Sequence, residues 1–191
     1  MFNVSYHLVR NFGAIGATIG HEIVHGYGTV GRKFDENGNS RDWWTHDDAA
    51  EFESRSQCFI DQYSSFELMD DEGKYVVNNN GERTLEENIA DNGGLRLARQ
   101  AYKKFAKENP ELLKGFDLTE DEVEKLFFIS MGQMYCSRLD AENIKMIMID
   151  NGHSIGPDRV NGMMMNSKVF SKVFQCPKGS AMNPATKCEL W

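Results

Sequence analysis

The sequence contains no apolar run approaching the roughly 20 residues that span a bilayer, so no membrane-crossing segment is expected. It also lacks basic excess, with 21 Lys and Arg against 29 Asp and Glu and a formal net charge of -8. Phosphate backbones are held by clustered Lys and Arg, so nucleic acid is not an expected partner. The opening MFNVSYHLVRNFG has neither the basic start nor the continuous apolar stretch of a secretory signal. The four cysteines, Cys58, Cys136, Cys176 and Cys188, form no C-x-x-C pair. That argues against a zinc knuckle or a dithiol redox motif, while the even count leaves disulfides open.

At 191 residues, with 40% hydrophobic and 26% charged residues, the chain has room for one domain with a core of its own. Residues 11–27 carry Ala14, Ile15, Ala17, Ile19, Ile23 and Val24 at helical spacing, interrupted by Gly13, Gly16 and Gly20, which implies a helix in close contact with another backbone. Gly26 and Gly28 end it. A second helix is expected over Asp47 to Met69, stopped by the acidic stretch Asp70-Asp71-Glu72-Gly73, with a short strand or turn in KYVVNNNGE. A third runs from about Thr84 to Glu108. A fourth starts at Thr119, which forms a capping box with Glu122. After Asp150 the chain reads as loop-rich, punctuated by Gly and Pro, before the short apolar VFSKVFQC. The fold class is mainly α, with little β.

Chemistry enters with GHEIVHGYG, residues 20–28. His21 and His25 are four apart and share one helix face, so both imidazoles can reach one metal ion. Glu22 points about 100° around the helix, beside a metal rather than onto it, where a general base belongs. Zinc with three protein ligands and one water acidifies that water and supports hydrolysis. The motif also occurs in ordinary helices, and a third ligand is needed to decide. A third histidine at position 31 is excluded, because Gly31 stands there. In TLEENIADNGG, Glu87 can serve as the ligand, with Asp91 accepting a ring N–H from a ligating histidine. The competing reading makes Thr84-x-x-Glu87 a capping box and Asn92-Gly93-Gly94 a helix break. Taken alone, His153 reads as a loop histidine and Arg159 as a solvated charge or an internal salt bridge. His7 and His46 read as structural or solvated. DENGN reads as a turn, since it lacks the closing Glu of a calcium loop.

NFGAIGATIGHEIVHG, FDENGNSRDWWT, ENIADNGG, HSIGPDRVNG, FQCPKGSAMNP and the terminal CELW together resemble the neprilysin and endothelin-converting enzyme family of zinc metallopeptidases. The likeness covers nearly the whole chain. It implies a thermolysin-like, gluzincin catalytic portion with one Zn2+ held by His21, His25 and Glu87. It makes Glu22 the base, Asp91 a carboxylate behind a ligand, His153 the oxyanion donor and Arg159 the binder of a substrate carbonyl. It implies cleavage of small peptides on the amino side of hydrophobic residues, and an extracellular or cell-surface setting. It pairs Cys58 with Cys188 and leaves Cys136 and Cys176 to cysteines upstream. Residues 1–191 are then a single C-terminal catalytic portion whose upstream lobe is absent, and the alternative function is a non-catalytic zinc-binding or decoy module. Two segments depart from the family pattern. Tyr27, Gly28 and Thr29 stand where Phe and acidic residues are usual, and Glu86 replaces the usual Gly before ENIAD. A carboxylate supporting the metal is therefore expected to be missing, weakening metal affinity or activity about 10-fold to 100-fold.

Overall fold

A computed structural model describes residues 2–113 and 117–191. In chain order the elements are α1 (Leu8–Asn11), a π-helical turn (Phe12–Gly16), α2 (Ala17–His25), α3 (His46–Ser64), β1 (Glu67–Met69), β2 (Tyr75–Asn78), α4 (Leu85–Glu108), α5 (Glu120–Gln133), α6 (Ala141–Asp150), α7 (Gly156–Asn166) and α8 (Lys168–Val173). Helix α4 is the spine. Its buried residues Asn88, Asp91, Leu95, Ala98 and Tyr102 recur every three or four positions, the spacing of one helical face.

Along that spine lie two apolar clusters. One gathers Leu95, Ala98 and Tyr102 with Phe127, Phe128 and Met131 of α5, Met163 and Met164 of α7, and Val173 of α8. The other joins Ile89 and Ala90 to Val24 and to Phe52, Phe59 and Tyr63 of α3, and is closed by Cys188 and Leu190 from the chain end. A disulfide joins Cys58 to Cys188 across 130 residues and fixes that end on α3, as the resemblance implies. Cys136 and Cys176 are free thiols. Among the described residues no helix is long and apolar enough to cross a membrane.

The expected capping box at the start of α5 forms in both directions, between Thr119 and Glu122. Three expectations change. The helix read over Asp47 to Met69 ends at Ser64. Glu67–Met69 instead pairs antiparallel with Tyr75–Asn78. Leu68 alone of that strand is buried, a period of two rather than 3.6. The acidic stretch is the hairpin turn, in which Asp70 Oδ1 accepts from Glu72 N at 3.0 Å and Lys74 N at 2.9 Å. The chain beyond Asp150 is not loop-rich but carries α7 and α8. There the Gly-Pro pair marks a helix start, since Pro in the first turn gives up an N–H that has no partner anyway. Helix α6, capped by Asp140, was not foreseen.

Candidate metal centre

Helices α2 and α4 meet through glycine. A Cβ on Gly20 would lie 2.6 Å from the Gly94 carbonyl oxygen, and one on Gly94 would lie 2.4 Å from His21 N, so only glycine permits this approach. The expected break at Asn92-Gly93-Gly94 does not occur, because α4 runs unbroken through it. The contact sets Asp91 and Glu87, about one and two turns earlier on α4, against the histidine face of α2.

His21 and His25 present their rings perpendicular, at 88° and 4.5 Å between centroids. Their Nε2 atoms are 3.0 Å apart. Glu87 Oε2 lies 3.1 Å from His21 Nε2, and Glu87 Oε1 lies 3.5 Å from His25 Nε2. Ligand atoms of all three residues fall within 4.8 Å of one another. Tetrahedral zinc with bonds of 2.0–2.1 Å requires donor separations of about 3.3 Å, so the spacing fits that ion. Glu87 Oε2 is also buried without a well-directed hydrogen bond. Nitrogens of His153, His21 and Arg159 stand 2.9, 3.1 and 3.8 Å from it. An anionic oxygen left this way by the protein is suited to a cation.

Both imidazoles are backed by carboxylates. Asp91, fully enclosed, takes His21 Nδ1 at 2.9 Å on Oδ1. It also accepts Arg159 Nε and Nη2, each at 2.7 Å, and the Tyr135 hydroxyl at 3.3 Å. Burial pushes the Asp91 carboxyl up, but these donors outweigh it and hold it below the usual carboxylate range. Burial likewise lowers His21, yet Asp91 and Glu87 lift it to about 9. The same negative field favours a dication. Burial raises the Glu87 carboxyl too, and the nearby His21, His153 and His25 imidazoles bring it below its ordinary value.

The capping-box reading of Thr84 and Glu87 fails. Thr84 makes no side-chain cap bond. Its hydroxyl donates to the Asn80 carbonyl at 2.9 Å and accepts Asn88 Nδ2 at 2.8 Å. Asn88 in turn accepts the Ser154 hydroxyl at 2.9 Å, and Ser154 accepts Asn79 Nδ2 at 2.9 Å. This buried chain pins the segment bearing His153 to α4. His153 Nε2 is 2.9 Å from Glu87 Oε2, and its Nδ1 is 2.5 Å from Asn151 Oδ1. Burial holds the His153 imidazole below its ordinary value, against the opposing pull of Glu87.

Arg159 sits on α7, with its guanidinium 4.8 Å over the Tyr135 ring and paired to Asp91, so the internal salt bridge is real. Burial opposes its charge, and Asp91 more than restores it. Glu22 is exposed on the next position of α2. His46 is solvated, and His7 caps α1 by accepting from Val9 N at 3.1 Å.

Sequence reasoning missed Glu86. Its Oε1 is 3.4 Å from His25 Nδ1, while Oε2 accepts Thr29 N at 2.5 Å and the Thr29 hydroxyl. The carboxylate expected to be absent is therefore present, supplied from α4. The signal was there in the unusual Glu86, but only tertiary structure turns it toward His25. Asn88, Ser154 and Tyr135 were also missed, having no spacing signature.

The sequence model of one family, described as Peptidase family M13, matches residues 1–190. The chain is 43% identical over 192 residues to Neprilysin-2 of Drosophila melanogaster, covering 100% of this chain and 24% of that protein. It is 43% identical over 183 residues to Neprilysin of Oryctolagus cuniculus, covering 95% of this chain and 24% of that protein. The crystal structure of the Mycobacterium tuberculosis zinc metalloprotease Zmp1 with an inhibitor superposes with a TM-score of 0.84 at 31% identity, over 96% of this chain and 28% of that one. The chain thus spans about a quarter of the length of these relatives.

Proposed function

The chain belongs to peptidase family M13, and from that premise we propose that it is a zinc-dependent endopeptidase whose metal is held by His21, His25 and Glu87. The observation that carries this is the convergence of two imidazole nitrogens and one carboxylate within 4.8 Å, each imidazole backed by a carboxylate of its own. Zinc, when bound, supplies Lewis-acid polarisation of a carbonyl and acidifies water.

The remaining work falls to the chain. Glu22, one position along α2 from His21 and open to solvent, takes the proton of the attacking water and passes it to the leaving amine. His153 donates to the scissile carbonyl oxygen as negative charge grows on it, where one donor is worth about 2.7–4 kcal/mol. Arg159 commits Nε and Nη2 to Asp91, which leaves Nη1 to meet a substrate carbonyl. Asp91 holds His21 in one tautomer and Arg159 in one pose. Residues 1–191 act as one catalytic portion on peptide substrates. Cleavage on the amino side of hydrophobic residues and a setting outside the cytoplasm belong to the same proposal, the latter supported by the Cys58–Cys188 bond.

Glu22→Gln tests the assignment of the base. The variant keeps stoichiometric zinc but loses peptide cleavage, while the parent chain loses cleavage with chelator and regains it with zinc. Normal turnover in Glu22→Gln contradicts the mechanism. Stoichiometric zinc in the parent chain with no cleavage of any peptide makes it a binding module instead.

A further inference from the structure

Glu86 and Gly28 form a matched pair. Glu86 is half-buried in the first turn of α4, next to the ligand Glu87, and its carboxylate leans across to the chain leaving α2. Thr29 clamps one oxygen through both its N–H and its hydroxyl, and the other oxygen faces His25 Nδ1 at 3.4 Å. This can happen only because residue 28 has no side chain. A Cβ there would lie 2.3 Å from Glu86 Oε1 and 2.7 Å from both its Cδ and Oε2. Gly28 is not among the positive-φ glycines, so the backbone itself accepts a side chain at this position. The space, rather than the dihedral, excludes one.

We infer that Glu86 is the positioning residue of His25, holding its ring through Nδ1 so that Nε2 faces the metal, and that glycine at 28 is retained to make room for that carboxylate. The inference rests on the zinc site proposed above. An anionic acceptor fixes the tautomer and raises the basicity of the donor nitrogen, as Asp91 does for His21. The two carboxylates enter from the same helix, five residues apart, and grip two histidines that are four apart. A carboxylate carried on residue 28 would occupy the volume Glu86 now fills, so the two solutions exclude each other.

The test is a double-variant cycle read by zinc affinity, the visible spectrum of the cobalt-substituted protein and thermal melting. Glu86→Gly weakens zinc about 10-fold to 100-fold and alters the cobalt bands, with little change in melting. Glu86→Gln, close in volume and still an acceptor, loses less, and it carries the argument if Glu86→Gly does not fold. Gly28→Asp alone weakens zinc, because the new side chain collides with Glu86. Gly28→Asp combined with Glu86→Gly binds zinc more tightly than either single variant. Zinc affinity and cobalt bands unchanged in both Glu86 variants would overturn the inference, as would a double variant weaker than both singles. A parent chain that takes up no zinc would instead sink the metal site itself, so the two failures are distinguishable. Glu82→Gln, exposed in the turn that precedes α4, serves as the control and binds as the parent does.

Discussion

The two ends of the HEIVH helix are supported in different ways. His21 is backed by Asp91, which is fully enclosed and accepts from His21, Arg159 and Tyr135 together. His25 is backed by Glu86, which is half-buried and tethered by Thr29. The first support is part of the core between α4 and α7, so it fixes the fold as well as the ring. The second lies at the edge, where it can orient a ligand without holding the protein together. Depth therefore decides whether a carboxylate behind a proposed metal ligand is structural, functional or both.

Breaking the deep end has the largest expected effect. Asp91→Ala strands Arg159 in a buried site, and loss of one partner of a buried pair costs about 3–5 kcal/mol. Chemical denaturation should show that loss together with zinc binding weakened by about 100-fold, the upper part of the range for such partners. Glu86→Ala at the shallow end should lower zinc affinity but cost no more than about 1 kcal/mol in stability, since solvent at the edge of the fold screens the pair. Equal stability losses for the two variants would erase the contrast.

A third carboxylate sharpens it through pH. Asp158 is next to Arg159 but buried with no hydrogen bond on Oδ2, and burial lifts its carboxyl to about 7. An unfolded Asp titrates near 3.9, so between about 4 and 7 the folded state binds the extra proton. Its contribution to stability falls as pH rises through that window and is level above it. Asp91 behaves in the opposite sense: its folded value is depressed, so its contribution is complete above about 4 and is lost as pH falls through the lower folded value. Denaturation of Asp158→Asn between pH 4 and 8 should show a flatter profile than the parent and greater stability at pH 8, by on the order of a few kcal/mol. An unchanged profile would mean that Asp158 is solvated in solution. The smallest effect on the metal belongs to Tyr135→Phe, which removes the long 3.3 Å bond to Asp91 and should cost about 0.5–1.5 kcal/mol in stability with zinc affinity nearly intact.

Much of this centre was legible in the sequence, for a geometric reason. Residues four apart on a helix must share a face, so His21 with His25, and Glu87 with Asp91, follow from numbering once the helices are recognised. Whether Glu87 was ligand or cap could not be read locally, because the same Thr-x-x-Glu spacing serves both. The Thr84 hydroxyl removes the cap reading by bonding to Asn80 and Asn88. Glu86 stayed hidden because its partner is 61 residues away, and no periodicity links α4 to the turn after α2. The strand expected in KYVVNNNGE forms as Tyr75–Asn78, but its partner Glu67–Met69 was missed because an acidic Gly-ended stretch stops a helix and turns a strand equally well. Helix α7 was missed because Gly-Pro-Asp is both a loop signature and a helix start.

The central claim is one zinc ion held by residues of α2 and α4. It is tested most directly by diffraction above and below the zinc absorption edge on crystals grown with zinc. The account predicts one anomalous peak within bonding distance of His21 Nε2, His25 Nε2 and the Glu87 carboxylate. A peak that leaves out Glu87, or one elsewhere on the chain with none here, would contradict it.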